Sequence, residues 1–187
     1  MIASPNDVAV FSRAGYDRLP DGRWEVASGR AILLGAPSFW HQELSDELLV
    51  SLRSQVRIAG RGFVTSGVSV FIPVPRGVSS EIQSRIPDLS ISVQRPATGL
   101  YEAGNAPEWV IEILSTRRGN IERTEKLDDY AHAGVREYWI VNPIDRDAEV
   151  YSLAAGDYVL VEKSSYPKSQ TFPGVAIDMV PLWPEIN

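Results

Sequence analysis

Residues 109–115, WVIEILS, place the strictest condition on what this chain can fold into. The run is apolar enough to fill a buried strand, yet its centre is a carboxylate, Glu112. In a strand successive side chains alternate, so Trp109, Ile111 and Ile113 share one face and Val110, Glu112 and Leu114 the other. Glu112 then has an apolar neighbour two residues away on each side. A lone ionised carboxylate is too costly to bury, so such a group is paired, hydrogen-bonded, protonated or bound to a metal. Any acceptable fold must bring a partner to it.

Composition narrows the partners. The chain has no cysteine, and its two histidines are His41 and His132. Disulfides, thiolate metal sites, thiol nucleophiles and a multi-histidine metal centre within one chain are therefore removed. A length of 187 residues, 44% hydrophobic and 22% charged, suits one well-cored globular domain. Residues 1–20 mix Pro, Asn, Asp and Ser, so an irregular N-terminal extension is expected there and a single domain over residues 21–187. The first residues lack a basic start followed by an apolar core, and no stretch approaches the roughly 18 apolar residues that span a bilayer. A cytoplasmic protein without membrane contact is expected. The formal net charge of -6 argues against indiscriminate coating of nucleic acid but leaves room for a local basic groove.

Periodicity predicts the elements. RWEVASGRAILL reads as a hairpin around Ser28-Gly29. Leu44, Leu48, Leu52 and Val56 fall at helical spacing, which predicts a helix over about 39–59 with Ser38 as cap and Gly60 as stop. Its acidic first half and basic second half complement the helix dipole and describe a solvated face, with a phosphate-contacting edge as the lesser reading. GFVTSGVSVFIPV, IPDLSISV and EWVIEILS then read as three strands. GNIERTEKLDDYAHAG has partial helical register and stops at Gly134, and VREYWIVN is the next strand. AEVYSL, DYVLVEK and VAIDMVPLW read as antiparallel strands that close the sheet. The fold class is α+β, a mixed sheet with a helix on each side and extra antiparallel strands.

Two carboxylates stand out in this frame. Asp88 opens the IPDLSISV strand directly after Pro87, and Glu112 lies inside the next one. If those strands are neighbours, the two could converge on one divalent cation such as Mg²⁺ or Mn²⁺, whose hard oxygen chemistry they match. Without an ion, one of them should have a raised pKa. Asp88 could instead cap a turn, and Glu112 could form a buried ion pair with an arginine or with Lys126. Lys126 sits mid-helix four residues before Tyr130, a place where lysine is ordinarily solvated. It gains a role only if that helix folds back over the two strands.

The order and spacing of IPDLSISV, PEWVIEILS, EKLDDYAHAGVREYWIVNP and AEVYSL, preceded by WEVASGRAILLGAPSFWHQEL, resemble the Uma-two family of restriction-endonuclease-like proteins, within the PD-(D/E)xK nuclease superfamily. The resemblance runs from about residue 22 to the C-terminal LWP. It implies a restriction-endonuclease-like core, metal held by Asp88 and Glu112, and Lys126 in place of the superfamily's strand lysine. Leu114 stands where that lysine would share the face of Glu112, so a lysine must arrive from the helix. The resemblance also brings His41 and Glu43 of the first long helix toward the site as accessory groups, with Tyr130 as a further one.

The leading expectation is a Mg²⁺-dependent or Mn²⁺-dependent endonuclease hydrolysing DNA, with catalytic residues Asp88, Glu112 and Lys126. Arg117, Arg118 and Arg123 are candidate phosphate contacts that read equally well as surface arginines. Tyr130 and Trp139 suit a core or pocket wall better than base stacking. Cutting both strands of a duplex with one site per chain would call for a homodimer. The alternative is a non-catalytic nucleic-acid-binding or protein-binding module that keeps the fold. A serine hydrolase built on Ser69 or Ser115 is poorly supported, since no G-x-S-x-G elbow is present.

Overall fold

The computed structural model describes residues 7–9, 12–74, 80–115, 121 and 123–185. Residues 1–20, expected to be irregular, supply two short elements: a strand, β1 (Asp7–Ala9), and a one-turn helix, α1 (Arg13–Tyr16), capped by the Ser12 hydroxyl. Elements of three and four residues are too short to show a period. The turn at Ser28-Gly29 closes the expected hairpin of β2 (Trp24–Ala27) and β3 (Arg30–Leu33). Both turn residues have positive φ, 50° and 75°, the geometry a two-residue hairpin turn requires. β1 pairs with the outer edge of β3, which gives its backbone the partners its own sequence does not advertise.

The long helix begins where Ser38 caps it, runs as α2 (Phe39–Leu52) and continues through a π-helical turn, Arg53–Arg57, close to the expected stop at Gly60. GFVTSGVSVFIPV, read as one strand, is two. The chain breaks at Gly67 (φ +64°), leaving β4 (Phe63–Ser66) and β5 (Val70–Ile72) in different sheets. There follow β6 (Gln83–Arg85), β7 (Leu89–Ser92), β8 (Trp109–Ile113), α3 (Glu125–Ala133), β9 (Glu137–Asn142), β10 (Asp147–Ala154) and β11 (Asp157–Ser164).

The strands divide into a five-stranded sheet, β1-β3-β2-β6-β5, and a six-stranded sheet, β11-β10-β9-β8-β7-β4. All pairings are antiparallel except β8 with β9, which α3 connects as a parallel crossover. Both faces of the larger sheet are covered. On one, Leu44, Leu48, Leu52 and Val56 of the long helix pack on Leu89, Ile91, Trp109 and Ile111. On the other, Tyr130 and Ala133 of α3 pack on Val110, Leu114, Tyr138 and Ile140. Double coverage is why β8 reads as an almost continuous apolar run. Trp139 lies in the first of these cores, its ring centroid 4.5 Å from that of Trp109.

VAIDMVPLW is not the strand its alternation suggests. Val175, Ile177 and Met179 are buried as expected, but their backbone bonds go to single partners over residues 165–172 with only an isolated bridge, and a 3₁₀ turn, Val180–Leu182, follows. Alternation reported burial correctly; a ladder needs a neighbouring strand as well. Among the described residues no helix is long and apolar enough to cross a membrane.

Candidate functional site

β7 and β8 are antiparallel neighbours with Leu89 opposite Ile111, so Asp88 at the mouth of β7 lies beside the end of β8. Its Oδ2 accepts the backbone N–H of Ile113 at 2.7 Å, and its Oδ1 lies 3.1 Å from Nε2 of His41, in the first turn of α2. Asp88 therefore ties two strands and a helix together at one point. That position goes beyond the turn cap that Pro87-Asp88 alone could describe.

Glu112 is almost wholly buried, 2% exposed, on the α3 side of β8. Helix α3 does fold back across this face. Lys126 Nζ lies 2.9 Å from Glu112 Oε1, and the Tyr130 hydroxyl, four residues on, donates to the same oxygen at 2.7 Å. Spacing of i and i+4 puts both side chains on one helix face, which explains their joint arrival. The other oxygen, Oε2, accepts no hydrogen bond from any described residue, and Glu112 lines an open groove of about 660 Å³ together with Asp88, His41 and Lys126.

Sequence reading missed two members of this cluster. Glu25, in the middle of β2, lies 3.6 Å from Lys126 Nζ through Oε1, which also accepts the Ile86 N–H at 3.0 Å. Arg85, at the end of β6, bonds Glu25 at 3.2 Å, Asp129 at 2.6 Å and Glu125 at 3.2 Å. Gln83 donates to Asp129 as well. The ladder between β2 and β6 has a single register pair, Val26 with Ser84, distant in sequence, so nothing in either local sequence announces the contact. A faint signal existed in Glu25, a carboxylate between Trp24 and Val26 in a hairpin strand.

The electrostatics follow from burial and from the count of like charges. Burial, helped by Asp88 and Glu25 and opposed by Lys126 and the Tyr130 hydroxyl, pushes the Glu112 carboxyl up to about 8. Burial would lower the Lys126 ammonium, but Glu112, Glu25 and Asp88 outweigh it and hold the group firmly charged. At Asp88 burial acts upward and is outweighed by His41, Lys126 and the Ile113 N–H, so this carboxyl is lowered. Burial acts to lower His41, but its bond to Asp88 and the charges of Asp88 and Glu112 together outweigh that cost, so the imidazole is raised. Lys126 alone does not offset the three carboxylates around it.

A sequence profile described as "Uma2: Putative restriction endonuclease" matches residues 13–180. The chain belongs to the Uma2 family. No curated protein is significantly similar to it. Among solved structures, a crystal structure from Anabaena variabilis ATCC 29413, described as a "putative nuclease belonging to DUF820", superposes with a TM-score of 0.71 at 18% identity, covering 91% of this chain and 96% of that one. At that identity the likeness concerns the fold, which is the restriction-endonuclease-like fold expected for a Uma2 protein.

Within this Uma2 chain the remaining candidates fall out unevenly. Leu114 is buried in the α3-side core, so the lysine position of the superfamily strand is filled by an apolar side chain while Lys126 supplies the charge from α3. His41 and Tyr130 reach the site through Asp88 and Glu112. Glu43 is exposed on α2 and outside the groove lining, because it falls off the helix face that carries His41 to the strands. Arg123 is held by Glu149 at 3.1 Å and is likewise outside the groove lining. Arg117 and Arg118 lie outside the described residues. Ser69 contacts the Tyr16 hydroxyl, and neither it nor Ser115 is hydrogen-bonded to a histidine.

Proposed function

We propose that this Uma2 protein is a divalent-metal-dependent phosphodiesterase that hydrolyses DNA. The observation that carries the reading is that Glu112 lines one groove with Asp88 while Lys126 and Tyr130 hold its Oε1 and no described residue donates to its Oε2. The donors fit a hard cation: two carboxylates supply oxygen ligands, and no group of three or more His, Asp or Glu side chains forms a ready metal cage among the described residues. Mg²⁺ or Mn²⁺ suits such an open set, since Mg²⁺ keeps several waters and takes further ligands from substrate phosphate. Glu112, which burial and its acidic neighbours keep protonated toward neutral pH, would lose that proton on gaining a cationic partner. When bound, the ion would polarise the scissile phosphate and lower the pKa of an attacking water.

The chain's own groups divide the remaining work. Asp88 and Glu112 present their oxygens from two hydrogen-bonded strands, and the Ile113 N–H and His41 fix the Asp88 carboxylate. Tyr130 fixes Glu112. The Lys126 ammonium, held between Glu112 and Glu25, orients the nucleophile or offsets the negative charge that develops on phosphorus-bound oxygens. Glu25 is a positioning residue, anchored in turn by Arg85 and the Ile86 N–H. If the substrate is a duplex cut on both strands, two chains would act together.

Cleavage of single-stranded, duplex and branched DNA by the purified protein with Mg²⁺ or Mn²⁺ tests the proposal, run beside Glu112→Gln and Lys126→Ala. Metal-dependent products from wild type, lost in both variants, support it. A wild type that binds the ion and cuts none of these substrates would overturn the nuclease reading in favour of a non-catalytic binding module.

A further inference from the structure

The groove has two unlike sides. Its floor is acidic, with Asp88, Glu112 and Glu25, and the cations there are committed: Lys126 to Glu112 and Glu25, Arg85 to Glu25, Asp129 and Glu125. A phosphodiester approaching that floor meets repulsion unless a cation with no carboxylate partner guides it. Arg23 is such a cation. It is exposed at the start of β2, forms no ion pair with any described residue, lines the groove and the smaller cleft beside Asp88, and is close enough for its charge to be felt at the His41 ring.

The wall that Arg23 begins is apolar and aromatic. It continues through Leu34 and Pro37 to Trp40, half-buried in the groove lining at the start of α2. A groove-lining tryptophan and an arginine with no ion pair among the described residues, in one groove with a carboxylate site, are the combination used to hold an unpaired strand: a cation for the phosphate and a ring for a base. A continuous duplex keeps its bases stacked inside and offers this ring nothing.

We infer that the wall from Arg23 to Trp40 is the substrate-strand track, and that the groove takes unpaired DNA in preference to continuous duplex. This rests on the nuclease reading for what happens to the strand, but not for its binding. The test is fluorescence anisotropy with a labelled oligothymidylate and a blunt duplex of equal length, in Ca²⁺, over a series of salt concentrations. Wild type should bind the single strand tenfold or more tighter than the duplex. Trp40→Ala should weaken single-strand binding about tenfold, the size of losing a base-stacking partner, with its salt dependence unchanged. Arg23→Ala should weaken it and reduce the slope of log K against log salt by about 0.7, the loss of one phosphate contact on a single strand. Arg57→Ala, an exposed cation remote from the groove lining, should change neither.

Equal or tighter binding of duplex, no binding of either, or wild-type affinity in both Arg23→Ala and Trp40→Ala would overturn the inference. Strand binding with this pattern but without cleavage would instead count against the nuclease reading alone.

Discussion

Two buried glutamates sit in adjacent parallel strands, and they are opposites. Glu137 in β9 is fully buried in REYWIVN, as Glu112 in β8 is in EWVIEILS. Glu137 has both oxygens satisfied by neutral donors: the Trp139 indole at 2.6 Å on Oε1, and the Ser169 hydroxyl at 2.9 Å and the Thr171 N–H at 2.7 Å on Oε2. It staples the C-terminal segment to the larger sheet and is outside the lining of the groove that Glu112 shares. Glu112 has one oxygen shared by Tyr130 and Lys126, the other unbonded, and a groove in front of it. A buried acid is thus no site in itself. Spare bonding capacity beside a groove separates the acid that holds the fold from the acid proposed for the chemistry.

The contrast breaks most sharply under substitution. Glu112→Gln should abolish metal-dependent cleavage while unfolding no more easily than wild type, because the amide is isosteric with the protonated carboxyl and has no charge to bury. Glu137→Ala should do the reverse: about 3–5 kcal/mol lost in denaturant unfolding, since three donors lose their acceptor, with turnover per folded molecule retained. Equal stability losses in the two variants would erase the distinction.

Next in size is Lys126→Met. Removing the ammonium should lower kcat by about 10²–10³ while metal affinity, measured by calorimetry, falls far less. A parallel loss of both would make Lys126 a structural counter-ion only.

The pH dependence sharpens the comparison further. Glu112 is raised from 4.5 to about 8 on folding, so between those values the folded state binds more protons than the unfolded one, and its contribution to stability falls as pH rises. Wild type should therefore lose stability from pH 4.5 to about 8 relative to Glu112→Gln, and saturating Mg²⁺ should shrink that difference. Overlapping stability-pH curves for the two proteins would contradict the raised carboxyl. The smallest effect is expected for His41→Asn: a several-fold weaker metal affinity from a less constrained Asp88, with the site preserved.

Much of this site was legible because strand alternation and helical spacing are local. They put Glu112 on the face that α3 covers, Asp88 at the mouth of a neighbouring strand, and Lys126 and Tyr130 one turn apart. Leu114, which casts doubt on the motif when read alone, is answered by the Lys126 ammonium beside Glu112. Glu25 and Arg85 were not legible, because a strand from the hairpin and a three-residue strand meet through the register of Val26 and Ser84, which no local pattern encodes. The division into two sheets hinged on one glycine, Gly67, inside what reads as a single strand. Glu137 went unremarked for a different reason. Its surroundings in sequence are nearly those of Glu112, and only the donors that fold onto it, Ser169 and Thr171, tell the two apart.

Isothermal titration of Mg²⁺ and Mn²⁺ into wild type, Asp88→Ala, Glu112→Gln and Glu137→Gln asks the central question directly. The account predicts a metal site in wild type and Glu137→Gln that is lost in Asp88→Ala and Glu112→Gln. Silent titrations in wild type, or a site that survives in Glu112→Gln, would contradict it.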